Sequence, residues 1–269
     1  MAKRKRKRRK DIYVAPTYDV YDVKNLDLNM IDKIREAPLS TLQDPLKLET
    51  ELLPQLGLNN EVLVEFPPSL YPFCGQGLFH WQYPNQFSKY LVHLSKYKIE
   101  SYIEVGVRHG GTFIITMEYL SRFNNIKECL GVDIANNVSF DDYKNGYRKE
   151  ADFWQIDSHH LRFKKFIREK EKRYNLALID GEHTYWGARK DFELLKDYTN
   201  IIVFHDISNS AVPEIKDLWV ELRTNCSDQF NFYEFTDQYK YIADTNLYYL
   251  GIGVMVDKGY DFITQGGIL

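Results

Sequence analysis

The sequence predicts an α/β fold: a doubly wound, mostly parallel sheet with an antiparallel pair of strands at its C-terminal edge. Three observations predict it. Short apolar runs alternate with segments of helical period from residue 85 to residue 223. Most of those runs end in a carboxylate. The last two β-rich runs have no clear helix between them, which suits strands that pair antiparallel.

The elements follow in order. "NQFSKYLVHLSKY" sets Phe87, Tyr90, Leu91, Leu94 and Tyr97 on one helical face, and "SYIEVGV" reads as a buried strand. "GTFIITMEYLSRF" reads as a helix and "ECLGVDIA" as a strand. A polar helix or loop then leads to the strand "ADFWQIDS". "HLRFKKFIREKEKRY" is an amphipathic basic helix, and "NLALIDGEH" is the fourth strand. "GARKDFELLKDY" carries Ala188, Phe192, Leu195 and Tyr198 at core spacing, and "NIIVFHDIS" is the fifth strand. "VPEIKDLWVELR" aligns Ile215, Leu218, Trp219 and Leu222 on one stripe. "FNFYEF" and "YYLGIGVMV" close the sheet.

Three regions are expected: a basic, disordered tail over 1–10, a proline-punctuated lead-in or cap over 11–80, and the main domain over 81–269. The tail, "MAKRKRKRRK", holds 8 of the 35 basic residues. The remainder carries 27 basic against 38 acidic residues, a formal charge of −11. Such a body repels phosphates, which argues against a nucleic-acid-binding domain, while residues 3–10 could still touch nucleic acid or an acidic partner. An apolar content of 44% supports a real core. No apolar stretch approaches the roughly 18 residues of a membrane span. Cys74, Cys129 and Cys226 are widely separated and odd in number, as expected of a reducing, intracellular setting, cytoplasmic or nuclear.

The stretch "YIEVGVRHGGTFI", residues 102–114, carries the chemistry. In open α/β sheets, ligands bind beyond the carboxyl ends of the strands, and a glycine turn there lets a ligand approach the backbone. A phosphate-binding P-loop needs a lysine after its last glycine, but Thr112 follows Gly111. A dinucleotide fingerprint needs a second glycine where Arg108 stands. The pattern present is Glu104-x-Gly106-x-x-x-Gly110-Gly111. An acid there would repel a phosphate and suits a ligand bound through an amine.

This pattern resembles the first motif of class I S-adenosylmethionine (SAM)-dependent methyltransferases. "IDGEHTYWGARKDFELL", "IIVFHDI", "VPEIKDLWVEL" and "GIGVMV" are similar to a branch containing sugar and macrolide O-methyltransferases and cephalosporin hydroxylase-like proteins. "WQYPNQFSKY" is similar to that branch's lead-in, and the resemblance spans residues 80–256. It implies a Rossmann-like methyltransferase fold that uses SAM to methylate a saccharide or other small hydroxylated acceptor. Glu104, Gly106, Gly110, Gly111 and Thr112 would take the methionine part of the cofactor. Asp133, 22 residues past Gly111, would take the ribose, and Asp157 with Ser158 the adenine. Asp180 and Asp206, at the ends of neighbouring strands, suit Mg²⁺ or the acceptor hydroxyl. His183 or His205 would serve as general base beside Asp180. His205-Asp206 stands where metal-dependent members of that branch tend to carry paired acids. Two rival expectations are a nucleic-acid methyltransferase using the tail, and an inactive binding or scaffold protein on the same fold.

Overall fold

The computed structural model describes residues 23–137 and 139–260, so the basic tail lies outside the described residues. Seven strands form one sheet: β1 (Ser101–Val105), β2 (Glu128–Asp133), β3 (Ala151–Gln155), β4 (Tyr174–Ile179), β5 (Thr199–Phe204), β6 (Phe230–Phe235) and β7 (Ile252–Asp257). Their order is β3-β2-β1-β4-β5-β7-β6. The first five run parallel, and β7 pairs antiparallel with both β5 and β6. The order reverses between β1 and β4, the place where an open α/β sheet splays a crevice at its carboxyl edge.

Short helices α1 (Met30–Glu36), α2 (Leu39–Leu42) and α3 (Pro45–Lys47) precede α4 (Pro84–Leu94). Then come α5 (Gly111–Leu120), α6 (Ser139–Gly146), α7 (Leu161–Arg168), α8 (Tyr185–Leu195), α9 (Pro213–Asn225) and α10 (Lys240–Ala243). The one-turn α10 lies between the two closing strands, where no helix was expected from the sequence.

Alternating strand residues feed two cores, because successive side chains leave a strand on opposite faces. Tyr102, Leu176, Leu178, Ile201 and Val203 pack on the face covered by α4, α5 and α6. Ile103, Val105, Ala177, Ile179 and Phe204 pack on the face covered by α7, α8 and α9. The helical stripe read from the sequence is the buried one: Phe87, Leu91, Leu94 and Tyr97 have no exposed surface.

The lead-in is packed rather than loose. Ile31, Ile34, Leu42, Leu48 and Leu56 share the first core with Ile114, Met117 and Leu120 of α5. One buried carboxylate fastens the two together. Glu118 of α5 accepts from Arg35 Nε of α1 at 2.8 Å, from Arg148 Nε at 2.9 Å and from the Tyr143 hydroxyl at 2.7 Å. Arg122 donates to the carbonyls of Ile34, Arg35 and Ala37, closing the C-terminal end of α1. No helix among the described residues is long and apolar enough to cross a membrane.

Candidate functional site

At the carboxyl edge of the sheet lies a cavity of about 650 Å³. It is within the usual range for a small-molecule site, about 300–1,000 Å³. Every candidate residue read from the sequence lines it. The glycine turn supplies Glu104, Gly106, Gly110, Gly111 and Thr112, and the ends of β2 and β3 supply Asp133, Asp157 and Ser158. The ends of β4 and β5 supply Asp180, His183, His205 and Asp206.

The glycines are required by the chain's own packing before any ligand arrives. Gly106 has φ +88°, and a Cβ on it would lie 2.1 Å from the carbonyl oxygen of Asp180. The ends of β1 and β4 therefore meet backbone to backbone. A Cβ on Gly111 would lie 2.0 Å from the carbonyl oxygen of Leu78 in the lead-in. Gly106→Ala is expected to destabilise the protein by more than about 1 kcal/mol, since it combines a clash with a left-handed φ. A thermal melt matching that of the parent protein would contradict this account.

Glu104 is 1% exposed, and its one hydrogen-bond partner among the described residues is the Tyr102 hydroxyl, which donates to it. Burial pushes its carboxyl well above the usual range, and neighbouring Asp180 and Asp133 push the same way. A buried carboxylate so sparsely served suits a cation arriving from the cavity. Asp133 accepts from the Arg108 backbone N–H at 2.7 Å and from the Ala135 N–H at 2.8 Å. It thereby ties the glycine turn to the end of β2. Asp157 lines the cavity and accepts from the His159 backbone N–H at 2.7 Å, closing a local turn. His159, not anticipated from the sequence, also lines the cavity and approaches the buried Asp191 at 3.3 Å.

At the other end, two acids and two histidines interlock. His183 bridges the carboxylates, with Nδ1 2.7 Å from Asp206 and Nε2 3.4 Å from Asp180. His205 Nδ1 lies 2.9 Å from Asp180 and 3.5 Å from Asp206. Asp206 has φ +62°, and Asn209 donates to it at 2.9 Å. Burial opposes charge on both rings, but the acids win: His183 is raised to about 11 and His205 to about 9. Burial likewise opposes ionisation of Asp180 and Asp206, yet the two histidines hold both carboxyls below their ordinary value. The two acids thus favour the imidazolium form of both rings, whereas a general base must be neutral. Asp180, His205 and Asp206 each offer one ligand atom, all within 4.8 Å of one another, and could hold a metal ion. For an ion between the two carboxylates, the His183 imidazolium is a competitor already in place.

The lead-in also reaches this end, a contact that no sequence pattern signals. Glu65 lines the cavity, is 7% exposed, and accepts from Trp81 Nε1 at 2.9 Å. Burial raises its pKa, and the nearby Asp206 adds to the rise. Glu65 sits in a short 3₁₀ turn before two prolines, where no periodicity signals which way a side chain points.

Residues 103–207 match a protein family described as a methyltransferase domain. That segment, less than half of the chain, is what the chain shares with methyltransferase domains. Its glycine turn, strand ends and histidine-acid cluster all fall within the matched segment or at its edge. No curated protein matches the chain. Among solved structures, it is similar to the O-methyltransferase TomG from Streptomyces achromogenes, involved in tomaymycin synthesis and solved with SAM. That likeness has 10% identity and a TM-score of 0.49 over 67% of this chain and 82% of TomG. It is similar to an O-methyltransferase from Bacillus cereus, solved with S-adenosylhomocysteine, at 12% identity and a TM-score of 0.46. Here 85% of this chain and 96% of the other are covered. A third is the MycE methyltransferase of the mycinamycin pathway, solved with Mg, S-adenosylhomocysteine and mycinamycin VI. It has 14% identity and a TM-score of 0.44 over 72% of this chain and 53% of MycE.

Proposed function

We propose that the methyltransferase domain transfers a methyl group from SAM to a hydroxyl of a small, saccharide-like acceptor. The observation that carries this reading is the buried Glu104 carboxylate. It opens onto a cavity whose far end holds Asp180, His183, His205 and Asp206.

Glu104 would accept from the amino group of the cofactor, with the amides around Gly106, Gly110, Gly111 and Thr112 beside its methionine part. Asp133 would take the ribose hydroxyls, and Asp157 with Ser158 the adenine. The cofactor supplies an activated methyl, so the protein's part is chiefly positioning. Asp180 or Asp206 would accept the single hydrogen bond that the acceptor hydroxyl can donate. His183 or His205 would take its proton only in molecules where that ring is neutral, so methyl transfer should speed up as pH rises toward the raised histidine pKa values. Asp180 and Asp206 would also be the oxygen ligands of Mg²⁺, which when bound would lower the pKa of an acceptor hydroxyl. Residues 3–10 remain the part of the chain suited to a nucleic acid or another acidic partner. The free state of Cys74, Cys129 and Cys226 accords with an intracellular setting.

Calorimetric titration of S-adenosylhomocysteine, with and without Mg²⁺, tests the cofactor half of this reading. Micromolar binding is the expected result, and no binding in either condition would overturn it. Screening hydroxylated saccharides with SAM then tests the acceptor half, for which transfer to a nucleic acid alone would be the contrary outcome.

A further inference from the structure

One acid of the lead-in, Glu61, holds the glycine turn at the cofactor end of the cavity. Glu61 pairs with the Arg108 guanidinium, and its other oxygen lies 2.7 Å from His109 Nε2. The Lys24 backbone N–H donates to His109 Nδ1 at 3.2 Å. The ring hydrogen is therefore on Nε2 and points at Glu61. Burial lowers the pKa of His109, in keeping with a neutral ring. Glu61 thus grips two consecutive residues inside the glycine turn.

Those residues are held in an unfavourable shape. Arg108 has φ +48°, a left-handed conformation that a residue with a long side chain keeps only when its surroundings impose it. Its surroundings do so from three sides. The Asp133 carboxylate accepts its backbone N–H at 2.7 Å, Asn137 donates to its carbonyl at 2.8 Å, and Glu61 holds its side chain. The guanidinium also stands 5.1 Å from the centre of the Trp81 ring, a second attachment to the lead-in. Arg108 is the residue through which Asp133, the proposed ribose acid, is joined to the glycine turn.

We propose that Glu61 is a positioning residue for the cofactor site. By clamping Arg108 and His109, it fixes the left-handed turn that aims Asp133 and the glycine-turn amides at the ligand. The inference rests on the cofactor reading above. It assigns a role in that site to a residue well outside the segment matched by the methyltransferase family. A site held ready binds more tightly than one ordered by its ligand, because the ordering entropy is spent in folding. The Arg108 side chain is 35% exposed, so replacing Glu61 does not strand a fully buried charge.

The test compares the full chain with Glu61→Gln and Glu61→Asp. Gln keeps the shape and loses the charge, and Asp keeps the charge but falls short of both partners. S-adenosylhomocysteine is titrated by calorimetry, and amide hydrogen exchange is followed over residues 106–111 without ligand. Both variants are expected to bind about tenfold more weakly or worse, the loss of one charge-assisted contact. Their turn amides should exchange faster while the core strands keep the protection of the parent protein. Parental affinity in both variants, with or without a lower melting temperature, would overturn the inference and leave the cofactor reading standing. Failure of the parent protein itself to bind would sink both.

Discussion

Glu104→Gln should weaken S-adenosylhomocysteine binding by about 10- to 100-fold, the range expected when a hydrogen bond loses its charge. The same substitution should leave the ligand-free protein as stable as before, or more so. Glutamine fills the same space and still accepts from the Tyr102 hydroxyl. The sign follows from the raised pKa of Glu104. A carboxyl raised on folding contributes least to stability at high pH, where the buried group must ionise. The advantage of the Gln variant should therefore grow as pH climbs above the ordinary carboxylate range. Ligand binding should show the complementary dependence. A cationic amine prefers the ionised carboxylate, so binding below the raised pKa expels a proton, and affinity rises with pH. Titrations in buffers of different protonation enthalpy measure that proton directly. A Gln variant with unchanged affinity, or binding without proton release, would remove Glu104 from the cofactor site.

A second large effect belongs to Glu118, far from the chemistry. Glu118→Ala should destabilise the protein by about 3–5 kcal/mol, since it strands the buried partners of a broken ion pair. For a chain of this size that lowers the melting temperature by roughly 10 °C. Arg148, which is 11% exposed, loses its carboxylate, and so do Arg35 and the Tyr143 hydroxyl. Burial opposes ionisation of Glu118, but its bonds to Arg148 and Arg35 prevail and lower its pKa below the ordinary 4.5. Its contribution is thus present above about pH 4.5 and lost as pH falls through the lowered value. Acid titration of stability should be flatter in the Ala variant. A loss below about 1 kcal/mol would mean that the network only fills space.

The sheet was legible because its rules are local. Short apolar runs marked every strand, period-3.6 stripes marked the long helices, and the acids at the strand ends marked the functional edge. Glu104 could be found because a charge closing an apolar run has few bland explanations, while Asp133, Asp180 and Asp206 came from the family resemblance. The lead-in could not be read that way. Its helices are a few residues long, and its apolar side chains answer to partners on α5 rather than to one another. Glu61 and Glu65 look like ordinary surface acids until the fold carries them across to Arg108 and Trp81. The glycine cluster was assigned to ligand approach, yet Gly106 and Gly111 answer first to the carbonyls of Asp180 and Leu78. A side-chain pattern cannot reveal that two backbones will touch. Nor could spacing reveal that His183 would stand between Asp180 and Asp206 and hold its proton there.

The contact between Leu78 and Gly111 has a bearing on how the chain comes into being. A ribosome delivers the lead-in before α5 exists, so Ile31, Ile34, Leu42 and Leu48 emerge with nothing to cover them. The other end of the chain imposes a longer wait. Strand β7 lies between β5 and β6 but follows both in the chain, so the antiparallel edge of the sheet cannot form until β7 has been released. Until α5 and β7 are made, those apolar side chains and the edge of β5 stay uncovered, surface of the kind that favours misassembly during synthesis.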